Sequence, residues 1–209
     1  MFIVISLITL IVVLNKSPTG LILYEPTVDS HKLIQKNNGA VVNIWLHEEL
    51  KVDVLRDNGI RYLFVDVGDT NLNGNLETDM EEINDFIDFI KDYEKKFHYD
   101  FILLPYSEVN TYTYDIIKKE FREKFIGDYK KLSESGFDGV YVDIEPVKFA
   151  DRKLYLEFLE DIRNNIAPNK LLSVYSGALN LENNKNEWEW DKNFYKEVGN
   201  RVDLIFVPG

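Results

Sequence analysis

The sequence predicts an α/β protein of the (β/α) TIM-barrel type, with six β/α units in an incomplete barrel. Six short apolar strands alternate with amphipathic helices, the pattern of parallel β-α units. The glycine-rich turn of dinucleotide-binding sheets does not follow the first strand, which argues against the alternative of an open doubly wound sheet. Two carboxylates close the fourth strand, and barrel chemistry lies at that end of the strands. The barrel is therefore the favoured architecture.

The elements follow from the spacing of apolar residues. We predict strands over 40–46, 61–67, 101–106, 171–175 and 203–207, with the carboxylate strand within 137–147. We predict helices over 47–58, 79–97, 114–135, 152–166 and 188–198, and a short one over 27–38. Thr78–Glu81 has the form of a capping box, so the second of these helices should start there. Eight units take about 250 residues, and this chain has 209. The sequence is therefore expected to be a fragment of a longer enzyme or to close in an unusual way.

The composition argues against several classes of binding partner and cofactor. A formal net charge of −12 argues against nucleic acid and anionic membranes, because neutralising phosphate needs a basic face. The chain has no cysteine, which excludes disulfides and thiolate sites. Its three histidines do not have the spacing of metal ligands. We therefore predict no metal and no cofactor.

The first residues indicate where the protein resides. Residues 2–14 are apolar and uncharged and are followed by Asn15 and Lys16, which suits the apolar core of a secretory signal. A membrane crossing usually takes about 20 residues, so a short uncleaved anchor is the alternative, and a buried first strand is a third. We expect residues 1–20 to be a signal peptide or N-terminal membrane anchor and 21–209 to form the partial barrel domain. The protein is then extracytoplasmic, either secreted or membrane-anchored.

The fourth strand carries the candidate catalytic residues. Side chains two apart on a strand share a face, so Tyr141, Asp143 and Glu145 point one way and the intervening Val and Ile residues the other. The two carboxylates lie about 6.7 Å apart along the backbone at ~3.3 Å per residue. Carboxylates this close raise the proton affinity of one of them. Glycoside hydrolysis needs such a general acid.

The segment Asp138-Gly-Val-Tyr-Val-Asp-Ile-Glu145 resembles the strand-four signature of glycoside hydrolase family 18, the chitinase-like barrels, whose pattern is Asp-Gly-x-Asp-x-Asp-x-Glu. The resemblance implies that Glu145 donates a proton to the glycosidic oxygen. It implies that Asp143 orients the acetamido group of the substrate, which attacks the anomeric carbon. The implied activity is hydrolysis of a β-linked N-acetylhexosamine polymer or a related glycan by substrate assistance, a known exception to the two-carboxylate scheme.

The sequence departs from the family pattern at three places. Tyr141 stands where the family has its first inward aspartate, and strand three, Leu104–Asn110, does not contain the family's Ser-x-Gly-Gly. The Tyr-Asp pair that the family places after strand six would begin about where this sequence ends. These departures favour the alternative of a catalytically inactive, carbohydrate-binding barrel, or of a hydrolase fragment.

Aromatic residues near the strand ends are the candidate substrate contacts. Tyr106 and Tyr175 end strands three and five and could stack on sugar rings, although ordinary half-buried tyrosines explain them equally well. Tyr141 is a further candidate, with barrel filling as the favoured alternative. Trp188 is the better sugar platform of two tryptophans, whereas Trp190 fits the inward side of the following helix.

A loop after strand two carries a partial calcium pattern. Asp69–Leu76 has oxygen-bearing side chains at positions one, three and five and Gly74 at six, but position twelve is Met80. Asp79 or Glu81 could supply the missing ligand. A solvated loop rich in turn-forming residues is the favoured interpretation.

Overall fold

A computed structural model of the protein describes residues 38–112, 115–116, 118–180 and 188–207. The predicted signal or anchor at 1–20, including the possible membrane attachment through 2–14, lies outside these residues, as does the helix predicted over 27–38 except for Asn38, which begins a strand. In the part that is described, no helix is long and apolar enough to cross a membrane.

Within the described residues the chain forms short strands alternating with helices. The strands are β1 (Asn38–Asn43), β2 (Ile60–Asp66), β3 (Asp69–Thr70), β4 (Leu76–Glu77), β5 (Ile102–Tyr106), β6 (Glu108–Asn110), β7 (Gly139–Glu145), β8 (Leu171–Tyr175), β9 (Ala178–Leu179), β10 (Glu189–Trp190) and β11 (Leu204–Phe206). The α-helices are α1 (Val52–Asp57), α2 (Met80–Phe97), α3 (Lys119–Glu134), α4 (Arg152–Asn165) and α5 (Lys192–Gly199). Single 3₁₀ segments, Ile44–Glu49 and Phe149–Asp151, precede α1 and α4.

The main strands are parallel and follow chain order. Pairing runs β1-β2-β5 on one side and β6-β7-β8-β11 on the other. β5 and β6 are pieces of one extended segment that is interrupted at Ser107. Asp138 joins the two sides, since its N–H donates to the Leu103 carbonyl at 3.0 Å and its carboxylate accepts from the Leu103 N–H at 2.9 Å. The six predicted β/α units are confirmed, and no described residue pairs β1 with β11, so the barrel is incomplete.

The two faces of β7 differ as the alternation predicts. Val140, Val142 and Ile144 are fully buried in the core between strands and helices. Tyr141 belongs to a second apolar cluster on the concave side of the strands. There the ring of Phe206 on β11 lies 4.3 Å from the ring of Phe64 on β2. Because side chains from the second and the last strand touch, the sheet curls into a nearly closed ring.

The helices pack on the outer, convex side of the strands. The boundaries of the first elements differ from prediction in three places. The cap of α2 is Asp79 and not Thr78, because the Asp79 carboxylate accepts from the Glu81 N–H at 2.8 Å. The helix predicted over 47–58 is divided, since Leu50 and Lys51 leave the helical conformation between the 3₁₀ segment and α1. The 3₁₀ segment also ends β1 at Asn43, three residues earlier than predicted.

The starts of α3 and α5 lie later than the predicted positions 114 and 188. Before α3 the chain turns, and the Ile116 carbonyl accepts from the Arg122 guanidinium at 2.8 Å. Before α5, Glu189–Trp190 pairs with β9, which leaves Asp191 to cap the helix through the N–H groups of Asn193 and Phe194. The cap bonds of Asp191 and the pairing of Glu189–Trp190 with β9 thus decide where α5 begins.

The loop with the partial calcium pattern is a hairpin. β3 pairs antiparallel with β4. The Asn71 carboxamide oxygen accepts from the N–H groups of Asn73 and Asn75 at 3.0 and 3.2 Å, and its nitrogen donates to Glu77 at 3.1 Å. The second oxygen of the pattern therefore closes the turn. Among the described residues no three His, Asp or Glu side chains are placed to hold a metal ion.

Candidate active site

The candidate active site lies at the carboxyl ends of the main strands. Asp143 and Glu145 end β7, the fourth of these strands, and face the concave side. Asp66 ends β2, Tyr106 ends β5 and Tyr175 ends β8. Parallel strands bring their carboxyl ends to one rim, so the predicted catalytic pair shares that rim with both tyrosines.

Strand β6 adds a second row of polar side chains. Its register sets Glu108 opposite Asp143 and Asn110 opposite Glu145. Between them, Val109 is fully buried in the core on the helix side. Because side chains alternate along a strand, Glu108 and Asn110 face the concave side together with the catalytic pair. We call Asp66, Glu108, Asp143 and Glu145 the acidic rim.

Three carboxyl groups of the acidic rim, those of Asp66, Asp143 and Glu145, have raised pKa values. Burial is the main cause that raises the pKa of Asp143 to about 7, and the charge of Glu108 adds to it. Burial also raises the pKa of Glu145 to about 7, followed by the charges of Asp143 and Glu108. Burial raises the pKa of Asp66 as well, against a 3.1 Å hydrogen bond from the Gly68 N–H. A carboxyl group that keeps its proton near neutral pH can act as a general acid.

Three tyrosines, Tyr106, Tyr141 and Tyr175, surround the acidic rim on the concave side. Tyr141 is only 6% exposed, and its ring lies 4.7 Å from Phe64 and 5.6 Å from Tyr106. Tyr106 and Tyr175 are half-buried. Burial raises the phenol pKa of all three, so they are neutral at physiological pH. The position of Tyr141 beneath the acids fits barrel filling, the favoured alternative to substrate contact.

Trp188 and Trp190 occupy different environments, as the sequence suggested. Trp190 is 1% exposed and packs 4.8 Å from Phe194 on α5. Trp188 is 46% exposed, and its ring lies 6.1 Å from that of Tyr112, which is 58% exposed. The Lys148 ammonium lies 4.9 Å from the Tyr112 ring. Trp188 and Tyr112 form an exposed aromatic pair that we call the platform.

The platform lies beside the acids. Tyr112 directly follows Thr111, whose N–H donates to the Glu145 carbonyl at 2.8 Å. The Thr111 hydroxyl donates to the Pro146 carbonyl at 2.6 Å. These bonds hold the Tyr112 segment against the carboxyl end of β7.

The sequence analysis did not identify Asp66, Glu108 or Tyr112 as site residues. Asp66 could have been found, because it shares the alternation of Tyr62 and Phe64 and ends its strand as Glu145 does. Glu108 and Tyr112 carry no such local signal. Their positions depend on the pairing of β6 with β7, which occurs between segments distant in sequence.

Comparison with solved structures supports the architecture. The chain superimposes on the spore cortex-lytic enzyme SleL of Bacillus cereus with a TM-score of 0.60 and 16% identity, over 82% of this chain and 41% of that one. A Group IV chitinase of Ostrinia furnacalis gives a TM-score of 0.60 and 18% identity, over 83% and 51%. A class V chitinase of Pseudomonas fluorescens Pf-5 gives 0.57 and 21%, over 81% and 52%.

The chain has a chitinase-like fold. Identities at this level show the fold alone, and this chitinase-like chain spans about half the length of those structures or less. No protein-family model matches the sequence, and no curated protein matches it. The function of this chitinase-like barrel must therefore be argued from its own residues.

Proposed function

We propose that this protein is a glycoside hydrolase acting on a β-linked N-acetylhexosamine-containing or related glycan. The observation that supports this most is the inward-facing pair Asp143 and Glu145, each with a pKa raised to about 7, at the carboxyl end of the fourth parallel strand. Acids in a buried rim cost stability unless they are paired or used. The proposal is also supported by their position at the carboxyl end of a parallel strand, because barrels of this kind carry their chemistry at that end.

Each acid has a separate task in the proposed reaction. The acetamido oxygen of the substrate attacks the anomeric carbon while the glycosidic bond breaks, and Glu145 gives its proton to the departing oxygen. Asp143 binds the acetamido N–H and holds the oxygen in line. Water then attacks the anomeric carbon while the bond between that carbon and the acetamido oxygen breaks, and the water gives a proton to the Glu145 carboxylate. Burial, followed by the charges of Asp143 and Glu108, raises the pKa of Glu145 to about 7, which suits Glu145 to the role of acid.

The platform supplies the binding surface in this proposal. The faces of Trp188 and Tyr112 can pack against the apolar C–H side of a pyranose, and their hydrophobic area favours such contacts. Tyr106 and Tyr175 offer phenol hydroxyls at the rim.

The alternative is a catalytically inactive barrel that binds carbohydrate. It is favoured by Tyr141, which places a buried aromatic ring where the family pattern has an acid. In that case the platform retains glycans on an array, and the native protein shows no turnover.

Replacing Glu145 by Gln tests the hydrolase. The amide keeps the shape of the side chain but has no proton to donate, so turnover of an aryl N-acetylglucosaminide oligomer should fall by roughly 10²–10⁴-fold while binding persists. Glu134→Gln is the matched control, since Glu134 is exposed at the far end of α3. The hydrolase assignment fails if the E145Q protein turns over substrate as fast as the native protein and the E134Q control do.

A further inference from the structure

We propose that Glu108 is a positioning residue of the acid pair, a third acid that β6 supplies opposite Asp143 and that acts on the reaction through its negative charge. The effect of Glu108 on the reaction rests on the proposed hydrolase function, whereas the position of Glu108 beside Asp143 does not. The register of β6 with β7 and the buried Val109 between two inward positions place Glu108 beside Asp143.

Strand β7 itself has no acid in the corresponding position. The inward residue that precedes Asp143 on β7 is Tyr141, which is buried and neutral. Apart from Glu145, a negative charge next to Asp143 must therefore come from a neighbouring strand. Glu108 is the exposed member of the rim and carries its carboxylate on the strand next to β7.

The charge of Glu108 reaches four surrounding groups on three other strands. It contributes to the raised pKa of Asp66 on β2, Tyr106 on β5, and both Asp143 and Glu145 on β7. For Asp143 it is the one charge that adds to burial. The other titratable groups near the pair are Tyr141 and Tyr175 on the concave side and Tyr129 and Tyr155 in the core on the helix side. Burial raises the phenol pKa of all four, so they are neutral at physiological pH.

The chemical consequence is a wider pH range in which Glu145 can donate a proton. A like charge favours the protonated form of a nearby carboxyl group. Removing the charge of Glu108 makes Asp143 and Glu145 release their protons at lower pH. The acid form of Glu145 is then scarcer above neutrality, so the alkaline side of the pH–rate profile moves down in pH.

Glu108→Gln tests this without relying on activity. The carboxyl ¹³C resonances of Asp143 and Glu145 are titrated in the native protein and in E108Q, and are assigned with D143N and E145Q. We expect both midpoints to fall by about half a unit to one unit in E108Q, the size expected for one partly screened charge on a neighbouring strand. E134Q makes the same change in net charge far from the rim, so its midpoints should equal those of the native protein. E108D keeps the charge and should restore most of the native titration.

The pH–rate profile provides the second measurement. At pH 8, E108Q should be about three- to tenfold slower than the native protein, with rates that converge towards pH 5. Midpoints that do not move in E108Q, or that move equally in E134Q, overturn the role of Glu108. If the native protein does not hydrolyse the substrate, the hydrolase proposal fails while the titration still decides whether Glu108 acts on the pair.

Discussion

The ring of Tyr141 on β7 lies 4.7 Å from the ring of Phe64 on β2, two strands away across the concave side of the barrel. The Phe206 ring of β11 contacts both of them. This aromatic layer fills the interior of the incomplete barrel beneath Asp143 and Glu145. It keeps water away from one side of the acids, and burial is the main cause of their raised pKa values.

The first prediction concerns this layer. Replacing Tyr141 by Asp, the residue in the family pattern, should destabilise the protein by about 3–5 kcal/mol, because it removes buried ring contacts and places a carboxylate in an apolar cluster. Tyr141→Phe keeps the ring and should cost less than about 1 kcal/mol. Urea unfolding measures both. Equal stability of Y141D and Y141F would show that the layer does not depend on this ring.

The second prediction concerns stability and pH. The folded protein holds the protons of Asp143 and Glu145 up to about pH 7, whereas the unfolded chain releases them near pH 4. Between these values the folded state binds more protons than the unfolded state, so the contribution of the pair to the free energy of unfolding falls as the pH rises. Asp143→Asn should therefore stabilise the protein by about 2 kcal/mol at pH 8, allowing for partial solvent screening, and much less at pH 4.

Urea unfolding at both pH values checks this, with the exposed helix residue Asp161→Asn as control. If D143N is no more stable than the native protein at pH 8, burial of the ionised Asp143 carboxylate does not lower the free energy of unfolding, and the prediction is wrong.

The third prediction concerns the platform. Trp188→Ala and Tyr112→Ala should each weaken binding of an N-acetylglucosamine oligomer to E145Q by about three- to thirtyfold, the loss expected for one aromatic contact face. Isothermal titration calorimetry measures the affinity. Phe97→Ala removes an exposed aromatic side chain at the end of α2 and serves as the control. Unaltered affinity in both platform variants would place the glycan elsewhere.

The fourth prediction concerns the start of β11. The Asp203 carboxylate is 4% exposed and accepts hydrogen bonds from the Arg163 guanidinium and, at 2.7 Å, from the Leu172 N–H. Asp203→Ala leaves both donors without this acceptor and should cost about 3–5 kcal/mol in the free energy of unfolding. Asp161→Ala, on the exposed side of α4, should cost little. A small loss in D203A would show that β11 is held mainly by its apolar contacts.

The sequence predicted the architecture well because local periodicity encodes it. The apolar alternation of β7 correctly assigned Val140, Val142 and Ile144 to the helix side and Tyr141 to the concave side. The helix ends were less accurate. The N-cap of α2 is Asp79 and not the expected Thr78. Because Glu189 and Trp190 pair with β9, α5 begins later in the chain than predicted. Competing hydrogen bonds decide such boundaries, and the apolar period does not record them.

By itself, the sequence determined that Asp143 and Glu145 share a face at the end of an apolar strand, because a strand repeats every two residues. Only the tertiary structure decided that Glu108 stands opposite Asp143, that Asp66 joins the rim and that Tyr112 lies beside Trp188. Those neighbours are set by the register between strands and by the curvature of the sheet. Both arise from packing between segments far apart in the chain, which no local pattern of residues specifies.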